Sequence, residues 1–408
     1  MGGPERKIVA GMKLRDAIYG EFEVPNYIEK LINAPEFRRL AEVRLININS
    51  PTLPSLADVR RYSHTLGALR LAMENPLLNL GKEEHRALLA SIVIHDAGTP
   101  AFAHLFEYQL RDQYDWDHEK VLPAILTGRH HSDGAAHQIF GPHTPEFERL
   151  CLRSKIDFNI VLEIVSGRHP ASRLVFGSLD FDNLDNVARM NWMMGFRFDT
   201  RIILQLARAI NVSGDGQLLL PESQRENLEH WSRLRRQAYE VLVFDGPTVA
   251  GQAVLSAAIA DALEDGTLSL MDWPYVDHQL IEVLRSGSRS GKKRIDRDLL
   301  GRLPDLKLIV QLSDASPDIL SLPRDSLKQH VENYLTEKRI TRAYGYSFRD
   351  AGAFEKEVKA IDPTSMSPWA VGRRSSSLVI YGFGVGGERV GPPELGREFV
   401  DWLEVRLR

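Results

Sequence analysis

Apolar residues recur at three- and four-residue spacing through most of the first 240 positions, the pattern of helices that bury one face. The spacing predicts helices over 27–46, 60–75, 84–95, 148–166 and 179–195, and a long amphipathic helix over 222–244 that ends at the Gly-Pro pair 246–247. Ser-Pro-Thr-Leu-Pro at 50–54 marks a loop, and the Gly-, Pro- and His-rich stretch 125–147 reads as a loop or irregular insertion. Helical spacing continues over 248–330, interrupted by the polar run SGSRSGKKR at 286–294. Beyond about 337 the period changes. RITRAYGYSF and SSSLVIYGFGV are β-branched and aromatic and bounded by Gly or Pro, which reads as strands. The expected architecture is mainly α: a helical core over 1–240, a helical extension over 241–335, and a small α+β region over 336–408.

Composition narrows the class. With 408 residues the chain suits one large domain or two ordinary ones, and 43% hydrophobic with 26% charged residues is ordinary for a soluble globular protein. A net charge of −4 provides no global attraction to nucleic acid or to an anionic membrane. The single cysteine, Cys151, excludes an internal disulfide and a Cys-rich zinc site. The opening MGGPERKIVAG lacks the apolar stretch of a signal peptide, and no run approaches the roughly 18 apolar residues of a membrane helix. A soluble, cytoplasmic protein is expected.

The chemistry-bearing residues stand at four places. His64 lies on the helix after the Pro loop; His95-Asp96 ends the apolar run ALLASIVI; Asp180-Phe181-Asp182 opens another helix; His104, Glu107 and His118-Glu119 follow the His-Asp doublet. Each alone has a plain explanation: a core histidine, an exposed pair, a helix N-cap. Together, two imidazoles and two carboxylates suit a divalent ion such as Mn, Fe, Co, Ni or Zn, with Mg favouring an all-oxygen set. Such an ion acidifies water and neutralises phosphoryl charge.

The order H…HD…D, with HD closing an apolar helix, resembles the HD-domain phosphohydrolases, and most closely their deoxynucleoside triphosphate triphosphohydrolase branch. The matching stretches are YGEFEVPNYIEKLINAPEFRRL, RYSHTLGALRLA, IHDAGTPAFAHLFE, WDHEK, SLDFDNLDNVAR, RRQAYEVL and VDHQLIEVLRSG, covering roughly residues 17–320. The resemblance implies metal ligands at His64, His95, Asp96 and Asp182, with Asp182 rather than Asp180 taken from the DFD triplet. It implies that His104 contacts phosphate, that His118 donates a proton to the leaving group with Glu107 orienting it, and that Arg61 leans on substrate phosphate. Tyr239, Asn183 and Asn186 fall at substrate-contacting positions. The same precedent implies a homodimer or higher assembly.

The chain also departs from that pattern. Thr99 stands for the second His of the long motif, Asn183 for a Lys or Arg, Asn186 for the Tyr under the sugar, and Met190 for an acidic residue. A Gln of the opening segment falls near Leu45, and a distal-phosphate Arg near Trp231. The basic residues Arg129, His130, His131, Arg168, His169, Arg173 and Lys292-Lys293-Arg294 are candidates to replace the lost charge, or simply solvated loop residues. The expectation is a metal-dependent phosphohydrolase acting on an ester or anhydride of a small, nucleotide-like phosphorylated substrate. The alternatives are an orthodox dNTP triphosphohydrolase, a nucleotide-binding regulator with little turnover, and an oxidase that redeploys His104 and His118 around a second iron.

Overall fold

The computed structural model describes residues 11–407 except 48–49, 77–78, 130–138, 140–145, 313–316, 351–353, 355, 374–376 and 388–389. His130, His131 and most of the 125–147 stretch therefore lie outside the described residues. The fold is mainly helical.

Two strands that the sequence pattern did not reveal come first: β1 (Met12–Asp16) and β2 (Gly20–Val24) pair antiparallel. The expected helix over 27–46 is instead three short turns, Asn26–Leu31, Pro35–Arg38 and Arg39–Glu42. Pro35 is the reason: it lacks an N–H for a continuing helix and holds Ala34 extended. Three helices match their expected spans closely: α1 (Arg61–Glu74), α2 (Lys82–Ile94) and, after α3 (His104–Tyr114), α4 (His118–Leu126) and α5 (Phe158–Val165), α6 (Phe181–Met193). The 148–166 expectation splits in two, Glu146–Arg153 and α5, where Lys155 takes a left-handed conformation and Asp157 caps the second helix. After α7 (Thr200–Ala209) and the two-residue strands β3 (Asn211–Val212) and β4 (Leu218–Leu219), α8 (Arg225–Phe244) ends at Asp245, whose carboxylate accepts from Thr248 N and opens α9 (Gly246–Glu264) with Pro247 in the first turn.

The polar run 286–294 proved helical, forming the end of α10 (Asp277–Gly287) and a short turn Arg289–Lys293. The all-helical reading of 248–330 also missed β5 (Asp305–Leu312). That strand pairs antiparallel with β9 (Ser377–Gly386), which is flanked on its other side by β6 (Ile340–Asp350). β9 alternates strictly. Leu378 and Ile380 pack with α11 (Arg324–Glu337) and α12 (Pro392–Leu407), while Val379, Tyr381 and Phe383 pack against Val249, Ala253 and Ala257 of α9. The last two strands, β7 (Val358–Ile361) and β8 (Pro368–Val371), bury Val358, Ala360 and Trp369 in the main core beside α7 and α8 residues. Among the described residues no single helix is long and apolar enough to cross a membrane.

Candidate active site

Helices α1 and α6 cross closely enough that a Cβ on Gly67 would collide with the Asp185 carboxylate and the Arg189 guanidinium. Between them, His64 Nδ1 meets Asp185 Oδ2 at 2.7 Å and Nε2 meets Asp182 Oδ1 at 2.6 Å. Arg189 donates to Asp185 at 2.8 and 2.9 Å and to Asp16 of β1 at 2.8 Å. This chain of buried charges fixes the imidazole from behind, as outer partners do for metal-binding histidines. His95 and Asp96 follow the last residue of α2, a helix whose start is secured by Glu84 accepting from Gly81 N. There His95 Nδ1 donates to Ile92 O at 2.7 Å, leaving the lone pair of Nε2 free. Asp96 Oδ1 accepts from Arg61 at 2.7 Å and from Thr99 Oγ1 at 3.1 Å.

The structure thus brings His64, His95, Asp96 and Asp182 together. His95 Nε2 lies 3.4 Å from Asp182 Oδ1 and 3.7 Å from Asp96 Oδ2. Both His95 Nε2 and Asp96 Oδ2 are buried without a hydrogen-bond partner. Orphaned buried acceptors are costly, and a cation between them would satisfy both. The ligand atoms of His64, His95 and Asp96 all lie within 4.8 Å of one another, so these residues could hold a metal ion. Asp180 does other work. Fully buried, it caps α6 by accepting from Asn183 N at 2.6 Å, and burial beside Asp182 pushes its carboxyl up to about 7.

A second group stands on α3 and α4. Phe102 and Ala103 adopt left-handed conformations immediately before His104, and Asp117 caps α4 by accepting from Glu119 N and Lys120 N. Gly98 allows the backbone of α4 to approach: a Cβ there would sit 2.6 Å from His118 O. Fully buried Glu107 accepts from His118 Nδ1 at 2.7 Å, His118 N at 3.0 Å, Arg111 at 3.1 Å and His104 Nδ1 at 2.8 Å. Burial alone would raise its pKa, but hydrogen bonds from His104 and His118 hold it far below the carboxylate range. Burial likewise works against a charged His118, and Glu107 outweighs it and raises the imidazole. His104, Glu107 and His118 are also close enough to hold an ion. However, both Nδ1 atoms and Arg111 already crowd the carboxylate, an arrangement suited to holding protons.

Both groups face one cavity of about 400 Å3. Arg61, Asn183, Asn186 and Tyr239 line it too, as do Leu45 and Met190. Asn183 Nδ2 donates to both Asp180 oxygens at 3.0 Å, so its amide is turned to the helix cap. Arg235 stacks over the Tyr239 ring at 4.3 Å. The sequence pattern gave no hint that the C-terminal strands contribute Tyr346, Phe348, Arg349 and Tyr381 to the wall, or α9 Gln252. The β-branched and aromatic content of RITRAYGYSF did signal a strand, but not what that strand would meet.

Two clusters of imidazoles and carboxylates, either of which could hold a metal ion, thus face one cavity. No family model matches the chain. At 24% identity it is similar to a "Deoxynucleoside triphosphate triphosphohydrolase SAMHD1 homolog" of Dictyostelium discoideum over 45% of this chain and 36% of that one. It is 22% identical to human SAMHD1, a deoxynucleoside triphosphate triphosphohydrolase, over 86% of this chain and 59% of that one. It is also 22% identical to YwfO of Bacillus subtilis, over 69% and 67%. The chain spans from about a third to two thirds of the length of these curated relatives. A crystal structure of a phosphohydrolase from Bacteroides thetaiotaomicron shares the fold with a TM-score of 0.62 at 16% identity, covering 91% of this chain and 99% of that one. At 24% identity or less, these similarities support kinship with the HD-domain phosphohydrolases near the SAMHD1 branch.

Proposed function

We propose that this chain is a phosphohydrolase that uses a divalent ion held by His64, His95, Asp96 and Asp182 to cleave an ester or anhydride of a nucleotide or nucleotide-like metabolite. The observation that carries the reading is the pair of groups on one cavity: an acceptor cluster with two orphaned buried atoms, and an imidazole whose charged form a buried carboxylate favours. A divalent ion in the first group supplies Lewis acidity at a phosphoryl oxygen and at the attacking water. His118, held by Glu107, is placed to protonate the departing oxygen. His104 shares that carboxylate and offers its half-exposed ring to phosphate. Arg61 neutralises Asp96 and sets the charge that the incoming phosphate meets.

The similarity to triphosphohydrolases supports hydrolysis at phosphorus, while the replaced clamp argues against ordinary dNTPs as the preferred substrate. Asn183, spent on Asp180, provides no cation, and a charge-assisted hydrogen bond is worth about 1.5–3 kcal/mol. Metal analysis of purified protein, followed by phosphate release across a panel of nucleotides and other phosphorylated metabolites, tests the reading. About one divalent ion per chain, and a compound turned over faster than dGTP, are expected. Rapid tripolyphosphate release from dGTP would replace this reading with an orthodox triphosphohydrolase. No hydrolysis across the panel by the metal-loaded protein would refute it.

A further inference from the structure

The cavity wall opposite the phosphate chemistry is built by a part of the chain that the motifs do not reach. Along β6, Tyr344, Tyr346 and Phe348 stand on one face by strand alternation, and Tyr381 of β9 shares it, with the Tyr346 and Tyr381 rings 6.4 Å apart. Three of the four, Tyr346, Phe348 and Tyr381, line the cavity, and so does Gln252 of α9. This is an aromatic surface, its Tyr346 and Tyr381 rings tilted by 50° to each other, with one amide beside it. The two tyrosine hydroxyls are committed. Tyr381 Oη donates to Val243 O at 2.6 Å, and Tyr346 Oη donates to Gln252 Oε1 at 3.0 Å. The second bond has a directional consequence. One Oε1 lone pair is spent on that bond, while the described residues offer no acceptor to the two Nε2 hydrogens, so the unmet groups of Gln252 are chiefly donors.

We propose that Tyr346, Phe348 and Gln252 form a base subsite, in which the ring of a nucleotide lies against the β6 aromatics and the oriented Gln252 amide donates to an acceptor on the base edge. This rests on the phosphohydrolase reading for the position of the phosphates. An amide whose unmet groups are chiefly donors favours a keto edge over an amino edge, because an amino group opposite Nε2 would set donor against donor. The subsite therefore favours guanine, thymine and uracil over adenine and cytosine. One neutral hydrogen bond sets the scale at up to about tenfold.

Binding of non-hydrolysable α,β-imido nucleotides to the full-length, metal-loaded protein, by calorimetry, tests this without turnover. Wild type should bind keto-base nucleotides about five- to tenfold tighter than amino-base nucleotides of the same ring size. Gln252→Leu should abolish the difference. Gln252→Glu, which can only accept, should reverse it. Tyr346→Phe frees the amide to turn and should flatten the preference while keeping overall affinity within about threefold, because one hydroxyl is a small part of the contact. An equal preference in wild type and Gln252→Leu, or no nucleotide binding at all, would overturn the subsite. Discrimination that depends on Gln252 without hydrolysis of any substrate would keep the subsite and remove the phosphohydrolase reading. Hydrolysis without discrimination would do the opposite.

Discussion

Replacing Glu107 by Gln tests the acid pair most directly. The carboxylate receives four donors on two oxygens: His118 N and Nδ1 and Arg111 on one, His104 on the other. An amide keeps one acceptor and is nearly isosteric, so the helices should stay in place. What it removes is the charge. A hydrogen bond to a charged group contributes about 1.5–3 kcal/mol and a neutral one about 0.5–1.5, so the buried His118 contact should lose about 1–2 kcal/mol. His104 and Arg111 are nearly half exposed, and their share is discounted for solvent screening. At 1.36 kcal/mol per unit, the loss lowers the pKa of His118 by about one unit. If His118 is the proton donor, the basic limb of the kcat/KM–pH profile moves down by about one pH unit. The sign for stability follows from both partners. The raised His118 contributes fully below its unfolded pKa and less as pH rises through its folded one. The depressed Glu107 contributes fully above its unfolded pKa and less as pH falls through its folded one. The difference between wild type and Glu107→Gln in urea unfolding should thus be largest between the unfolded pKa values of Glu and His, about pH 5–6, and shrink as pH rises through the raised pKa of His118. A basic limb that stays within about 0.3 units, together with a pH-independent stability difference, would refute the assigned role of His118.

Other outcomes follow from the same geometry. His118→Ala should slow the chemical step by about 10²–10⁴ while the metal content stays at the wild-type level, measured by single turnover and elemental analysis. Asp182→Ala should empty the metal centre, whereas Asp180→Ala should keep the ion and cost about 1 kcal/mol as a lost helix cap; equal metal loss in both would reverse the choice within the triplet. Gly67→Ala should destabilise the protein by about 1–3 kcal/mol and weaken metal affinity, because the added methyl pushes against the Asp185–Arg189 pair behind His64. Chelation should lower thermal stability by about 3–4 kcal/mol at ion concentrations of 100–1,000 times Kd, and an unchanged melting curve would argue against a resident ion.

Two signals made site residues legible in the sequence: a local break in pattern, and the order of the stretches that carry the resemblance. His95-Asp96 stood out because a charged doublet ends an apolar helix, whereas His64, Asp182, Glu107 and His118 were joined to it by the resemblance. The partners that hold these groups were not legible. Asp185 and Arg189 looked like ordinary helix residues until α1 crossed α6, and Asp16 belongs to a hairpin with no strong period of its own. The helix expected at 27–46 failed because local spacing was weighed above Pro35, and β5 was missed because its eight residues sit between helices and carry a Lys and a Gln among the apolar positions. The cavity wall escaped for a different reason: β6 and β9 advertise a sheet face, but only the packing of α9 shows that part of the face is left for something else.

That late contribution has a consequence for synthesis. Every residue of the metal-type cluster and the acid pair has left the ribosome once Asp182 has emerged, yet Tyr381 follows roughly two hundred residues later. At about 5–20 residues per second, that leaves an interval of roughly 10–40 s. During it, the nascent chain carries its reactive groups in a half-walled cleft, open where β6 and β9 will close it. A nascent chain stalled before β9 should therefore be able to bind an ion while discriminating poorly among ligands. Chemical competence and selectivity would then be acquired at separate moments in the life of one molecule.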